Sequence, residues 1–288
     1  MICTSGQARQ RRPAGRQRRR NAALSYAGPV RARTGSFETE YVTAGSGPWL
    51  VLAHCLGGSL GVWQHQLDAL ARSAHVVAYD ARGHGGSGHP AGEYGVSDLA
   101  DDLVRLMDEV GIERASVVGL SMGGMMAQHL AADHADRVDR LVLADTTSHY
   151  EGEAVSTWQQ RAATARAQGL EPLANATMER WFTAAFRQDR PDEVRRIRDI
   201  FTANDAEGYA LAVGALSRFD VRPQLGRIKA PTLVITGDQD AACPPDLGRH
   251  IASSVQHGRF ELLPSASHVS CVEQPDAFNR LVLDFLGA

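Results

Sequence analysis

Apolar and polar positions alternate along this chain in two distinct rhythms. Short apolar runs, Trp49-Leu50-Val51-Leu52-Ala53, His75-Val76-Val77-Ala78-Tyr79, Ala115-Ser116-Val117-Val118 and Val138-Asp139-Arg140-Leu141-Val142-Leu143-Ala144, have the length and β-branched content of buried strands. Residues 37–43 read as an edge hairpin strand. Between the runs the apolar residues recur near a 3.6-residue period: Val62, Trp63, Leu67 and Leu70 within 60–71, and Leu99, Leu103, Leu106, Met107 and Val110 within 96–110. That spacing predicts amphipathic helices packed on a sheet. Strand and helix in alternation predict an α/β fold with a mostly parallel sheet.

The rhythm changes between residues 146 and 227, where the sequence becomes helical and charged and gathers Trp158, Trp181, Phe182, Phe186, Phe201 and Tyr209. Pro172 and Pro191 mark helix starts or breaks there. Strand pattern resumes at Thr232-Leu233-Val234-Ile235-Thr236 and Arg259-Phe260-Glu261-Leu262-Leu263, and a closing helix is expected over 275–286. The expected organisation is therefore a core of 35–145 and 228–288 with an inserted helical cap of 146–227. Residues 1–34 are expected to form a basic, disordered preface.

Composition narrows the function classes. At 288 residues and 43% apolar content the chain can bury a sizeable core. No apolar run reaches the roughly 18 residues a membrane helix requires, so no membrane partner is expected. Nine arginines and no acidic residue lie in 1–34, so removing that preface takes the formal charge from −3 to −12. An acidic body argues against nucleic acid as a partner. Cys3, Cys55, Cys243 and Cys271 show neither a disulfide framework nor C-x-x-C spacing, which suits a cytoplasmic location.

Candidate chemistry centres on Gly119-Leu120-Ser121-Met122-Gly123, a G-x-S-x-G match between an apolar strand and an apolar helix. Such a turn exposes the serine oxygen in strained backbone and puts the following N–H at a helix N-terminus, where a developing oxyanion can bind. Ser121 is the candidate nucleophile, and the Met122 N–H a candidate oxyanion donor. A serine nucleophile needs a base and a carboxylate to orient it. His268 follows the last strand pattern and is the candidate base. Asp240, in Gly237-Asp238-Gln239-Asp240, follows the strand before it and is the favoured acid. Asp145, at the end of the preceding core strand, is the alternative acid, and Asp238 reads as a turn residue. After the strand ending at Ala53 comes His54-Cys55-Leu56-Gly57-Gly58, whose Leu56 N–H is the second oxyanion candidate and whose His54 reads as a loop-holding residue.

These residues resemble the α/β-hydrolase superfamily over nearly everything after Gly35, which implies its eight-stranded-type sheet. Within it the chain is similar to the 3-oxoadipate enol-lactonases of aromatic catabolism, the β-ketoadipate pathway. The specific likeness lies outside the triad: Trp181-Phe182-Thr183, Phe186-Arg187, Glu207-Gly208-Tyr209-Ala210, Ala230-Pro231-Thr232, Cys243-Pro244-Pro245, Ser267-His268-Val269-Ser270 and Val272-Glu273-Gln274-Pro275. The resemblance implies serine-dependent opening of an enol-lactone, with Trp181 as a pocket wall and with neither a metal nor an organic cofactor needed. Cys55 and Cys271 depart from the family's usual residues, as does the arginine-rich preface. An esterase or lactonase of a secondary-metabolite pathway, a cofactor-free perhydrolase-like enzyme and a hydrolase-fold ligand receptor stay open as alternatives. Arg187, Arg190 and Arg218 are the cap cations considered for a substrate carboxylate and left outside the site.

Overall fold

Eight strands form one sheet: β1 (Val30–Thr34), β2 (Phe37–Gly45), β3 (Trp49–Ala53), β4 (His75–Tyr79), β5 (Ala115–Leu120), β6 (Val138–Ala144), β7 (Thr232–Gly237) and β8 (Gly258–Leu263). The computed structural model describes Met1 and residues 28–288, so most of the arginine-rich preface lies outside the described residues. Strand order is β1-β2-β4-β3-β5-β6-β7-β8. The two pairings of β2 are antiparallel and all the others parallel. Helices cover both faces of the parallel part, which is why β5 and β7 are buried at every position and read as continuous apolar runs.

In the core, β3 leads through a single 3₁₀ turn (Leu60–Trp63) to α1 (Gln64–Leu70). The amphipathic helix α2 (Val96–Val110) and the almost wholly buried helix α3 (Met122–Asp133) follow. The helix expected over 60–71 is thus divided at its start, where the Ser59 hydroxyl caps the Gly61 N–H. Between β6 and β7 lie five helices: α4 (Glu153–Gln168), α5 (Glu171–Trp181), α6 (Ala184–Asp189), α7 (Pro191–Thr202) and α8 (Ala206–Ser217). Their neck is an isolated antiparallel bridge, His149 to Asp220, flanked by Tyr150 N–H donating to Phe219 O and Val221 N–H to Ser148 O. The chain closes with α9 (Pro245–Ser254), α10 (Ser270–Glu273) and α11 (Pro275–Leu286). Among the described residues no helix is long and apolar enough to cross a membrane.

Two sequence expectations need correction. The boundary at residue 34 cuts through a hairpin, because Val30 to Thr34 pair with Tyr41 to Phe37. Thr34 is buried, with its hydroxyl 2.5 Å from that of Thr39. Arg31 and Arg33 belong to this strand and not to a tail, and Arg31 pairs with Glu38 and Glu40 across the ladder. Basic residues on an edge strand deter pairing with other chains, which is why the segment reads as a continuation of the arginine-rich preface. Consequently β2 is not an edge strand: β1 covers one side of it and β4 the other.

Candidate active site

The site begins at the turn between β5 and α3. The strand ends at Leu120 and the helix starts at Met122, so Ser121 alone reverses the chain, with φ 53° and ψ −111°. Positive φ in a residue with a Cβ costs about 1–3 kcal/mol. The surroundings enforce it: Ser121 N–H donates to Ala144 O at 2.9 Å, and Ser121 O accepts from the Thr146 hydroxyl at 2.7 Å. Strand and helix approach closely only because glycines flank the serine. A Cβ on Gly119 would lie 2.3 Å from Gly123 O, and one on Gly123 would lie 2.0 Å from Ala53 O.

His268 stands on the loop after β8 and Asp240 on the loop after β7, both at the edge of the sheet that carries Ser121. The His268 Nε2 lies 2.9 Å from the Ser121 Oγ, and its Nδ1 lies 2.9 Å from the Asp240 Oδ2. Asp240 is fixed in turn, its Oδ1 accepting from the Ala242 N–H at 2.7 Å and the Cys243 N–H at 2.9 Å. All three residues are buried. Burial disfavours the His268 imidazolium, but the Asp240 carboxylate outweighs it by charge and by hydrogen bond, so the His268 pKa rises above its ordinary value. Chemically, the chain Ser–His–Asp can take the proton from a hydroxyl as it attacks and stabilise the cation that results.

Asp145, the other carboxyl considered for the acid, has a different set of partners. It is fully buried, with Oδ1 accepting from the Gly237 N–H at 2.9 Å and Oδ2 2.6 Å from the Ser270 hydroxyl. It ties the loop bearing Asp240 to the helix that follows His268. Burial, reinforced by the charge of Asp240, pushes its pKa up. Asp238 accepts from the Ala266 N–H and joins the same two loops. Cys243 also lies close, its Sγ within 4.8 Å of donor atoms of Asp240 and His268. Burial raises that thiol's pKa well above the ordinary value and keeps it protonated.

The loop after β3 faces the serine from the other side. Leu56 lines the same cavity as Ser121, His268 and Trp181. His54 bridges the loop to the next strand's end: its Nδ1 donates to Cys55 O at 2.7 Å, and its Nε2 accepts from the Ala81 N–H at 2.9 Å. Those two bonds require the neutral ring protonated on Nδ1, and burial holds its pKa down at about 3. His54 and the similarly buried His84, with a pKa lowered to about 4, therefore serve as neutral hydrogen-bonding struts. Met122, the other oxyanion candidate, is the first residue of α3, where an N–H has no intrahelical acceptor.

The cap supplies the remaining wall. Trp181 packs edge-on against Phe201, which packs edge-on against Tyr209. Two guanidiniums, Arg161 and Arg180, also line the cavity. Arg161 donates to the Tyr209 and Thr177 hydroxyls at 2.8 and 2.9 Å. Among the described residues neither arginine forms an ion pair. Arg180 also borders the adjoining outer cavity. The cations weighed from the sequence lie elsewhere: Arg218 bonds to Tyr94 O and pairs with Glu93, and Arg190 stacks over Phe186. In α4 and α5 Arg161 stands between Gln160 and Ala162 and Arg180 between Glu179 and Trp181, and nothing in that pattern distinguishes them from solvated residues.

Comparison with known proteins agrees with this architecture. The profile of the alpha/beta hydrolase fold family matches residues 48–275. The chain is 40% identical to 3-oxoadipate enol-lactonase 2 of Acinetobacter baylyi over 244 residues, 84% of this chain and 90% of that protein. It is 32% identical to the pimeloyl-[acyl-carrier protein] methyl ester esterase of Chromobacterium violaceum, over 85% of this chain and 96% of that one. The crystal structure of the enol-lactonase from Burkholderia xenovorans LB400 superimposes with a TM-score of 0.87 at 40% identity, covering 90% of this chain and all of that one. The chain belongs to the α/β-hydrolase fold family.

Proposed function

We propose that this protein is a serine hydrolase that opens a carboxylate-bearing enol-lactone, 3-oxoadipate enol-lactone, through an acyl-enzyme on Ser121. The observation that carries the substrate reading is the pair Arg161 and Arg180, two cations without ionic partners among the described residues, lining the cavity over the nucleophile. Arg161 is half-buried and Arg180 exposed, and a guanidinium so placed favours a planar anion it can grip with two N–H groups. The 40% identity to an enol-lactonase supports the same reading.

The chemistry follows from the geometry. His268 Nε2 takes the Ser121 proton as Oγ attacks the lactone carbonyl, and Asp240 holds the ring with Nε2 free to accept. The tetrahedral oxyanion is received by the Leu56 and Met122 N–H groups, each contributing about 3–4 kcal/mol in sites of this type. Collapse breaks the ring C–O bond, and the proton on His268 passes to the released enolate, which tautomerises to the ketone. The opened chain stays attached to Ser121 as an ester. His268 then deprotonates water, which attacks that ester; a second tetrahedral species breaks down to free Ser121 and 3-oxoadipate.

A second reading, a hydrolase of simple esters, draws on the likeness to an esterase at 32% identity. Steady-state turnover of 3-oxoadipate enol-lactone beside p-nitrophenyl acetate separates the two. We expect kcat/KM of at least about 10⁴ M⁻¹s⁻¹ for the enol-lactone, far above the aryl ester, and loss of both in Ser121→Ala. Cleavage of the ester without the lactone would refute the substrate assignment and keep the nucleophile.

A further inference from the structure

One cap side chain hydrogen-bonds to the loop 54–58. Asn204, buried between α7 and α8, donates from Nδ2 to Gly57 O at 2.9 Å and accepts at Oδ1 from the Gly85 N–H at 2.9 Å. Its Nδ2 also reaches Ile200 O and Phe201 O at the end of α7, at 2.8 and 3.2 Å. One cap residue thus clasps two loops of the core.

A peptide unit is planar, and in the trans form its C=O and the next N–H point in opposite directions. Fixing one end therefore aims the other. The Gly57 C=O shares its plane with the Gly58 N–H, and that N–H donates to Cys55 O at 2.9 Å. The Cys55 C=O in turn shares its plane with the Leu56 N–H. An unbroken relay runs from the Asn204 amide through two peptide planes to the Leu56 N–H, and hydrogen bonds in such a chain polarise one another in the same sense. The intervening peptide, Leu56 to Gly57, is held by the Gly57 N–H donating to His84 Nε2 at 2.9 Å. His54 steadies the Cys55 carbonyl from the core side.

We propose that Asn204 is a positioning residue for the oxyanion hole, so that seating the cap and aiming the Leu56 N–H are a single event. A cap lifted from the core would remove the Gly57 bond and leave the donor loosely held, which confines strong oxyanion binding to the closed, water-poor cavity. Close backbone approach at a second point serves the same seating. Gly208 of α8 lies against Gly83, and a Cβ on Gly208 would sit 2.5 Å from Gly83 O. The inference rests on the Leu56 N–H being an oxyanion donor and is independent of the enol-lactone assignment.

The test uses p-nitrophenyl acetate, which is too small to need the cap arginines, on the full chain. Asn204→Ala is expected to lower kcat by about tenfold or more, as loosening one donor should, with KM changed by less than about twofold. Affinity for an arylboronic acid, whose adduct with Ser121 is tetrahedral, should fall by the same factor. Asn204→Asp keeps the acceptor for Gly85 but cannot donate to Gly57 O, so it provides the same readout in a side chain of equal size if the alanine variant does not fold. Gly208→Ala should reproduce the kcat loss, and combining it with Asn204→Ala should add little further. Arg198→Ala, which removes an ion pair to Glu171 and a hydrogen bond to Asn175, both within the cap, should leave kcat unchanged. A folded Asn204→Ala or Asn204→Asp enzyme with parental kcat and parental boronate affinity overturns the proposal, as does full additivity with Gly208→Ala.

Discussion

Replacing Asp240 by asparagine should cost far more than the loss of one hydrogen bond. The amide fits the same space, and its oxygen can still accept from the Ala242 and Cys243 N–H groups, as Asp240 Oδ1 does now. That leaves the NH₂ facing His268 Nδ1, where the carboxylate oxygen now sits at 2.9 Å. Two donors cannot face one another, so the imidazole must shift its proton to Nε2, the atom 2.9 Å from the Ser121 Oγ. The base then presents a proton where it must accept one. A wrong tautomer of this kind lowers kcat by about 10⁴ in a serine protease triad; at about 1.36 kcal/mol per decade that is roughly 5.4 kcal/mol of transition-state stabilisation. Asp145 cannot make up the loss from its present position, because its two oxygens are bonded to Gly237 and Ser270. Stopped-flow and steady-state hydrolysis of p-nitrophenyl acetate would measure the effect, with circular dichroism confirming the fold. We expect kcat to fall by about 10³–10⁴ with KM little altered. A kcat within about tenfold of the parent would refute the assignment of Asp240 as the acid. Elimination of that remainder by Asp145→Asn would point to Asp145 in its place.

Other consequences are open to direct measurement. Only neutral His268 can take the Ser121 proton, and its pKa is raised. Hence kcat/KM for p-nitrophenyl acetate should fall with decreasing pH through an inflection above 6.5, and Asp240→Asn should move that inflection down; His54 and His84, held at about 3 and about 4, should add no step near neutrality. Arg161→Ala and Arg180→Ala should each raise KM for the enol-lactone by about tenfold or more, the scale of a charge-assisted hydrogen bond, while leaving the aryl acetate unaffected; equal effects on both substrates would assign the arginines to cap architecture. Deleting residues 1–34 should lower Tm by several degrees relative to deleting 1–29, because the first removes β1 and its buried Thr34–Thr39 contact, worth about 1 kcal/mol, and uncovers β2. Calorimetry giving equal Tm values would show that β1 contributes no stability.

The parts of the site legible in the sequence share one property: backbone geometry dictated them locally. Ser121 is marked by the glycines its turn requires, and Asp240 and His268 follow strands whose apolar runs announce them. Each of these signals lies within a few residues of the group it identifies. Asn204, Arg161 and Arg180 carry no such signal, since the roles proposed for them arise from contacts across long stretches of chain, 147 residues in the case of Asn204 and Gly57. An asparagine between two helices looks like a loop residue until the partner it clasps is known. The edge strand was obscured for the opposite reason. Arg31 and Arg33 serve an exposed ladder, opposite Glu40 and Glu38 of β2 in register, yet in sequence they extend a run of arginines. The helix α9 was not anticipated, because among its residues only Gly248 and Ile251 are buried, too few to set up a 3.6-residue period.

The most direct test of covalent serine catalysis is to trap the intermediate. Enzyme mixed with 3-oxoadipate enol-lactone and quenched in acid within the first turnover should yield a peptide carrying a 3-oxoadipyl ester on Ser121 by mass spectrometry, absent in Ser121→Ala and accumulating further in His268→Ala if any acylation survives. Rapid lactone consumption with Ser121 unmodified at every quench time, and undiminished in Ser121→Ala, would contradict the account.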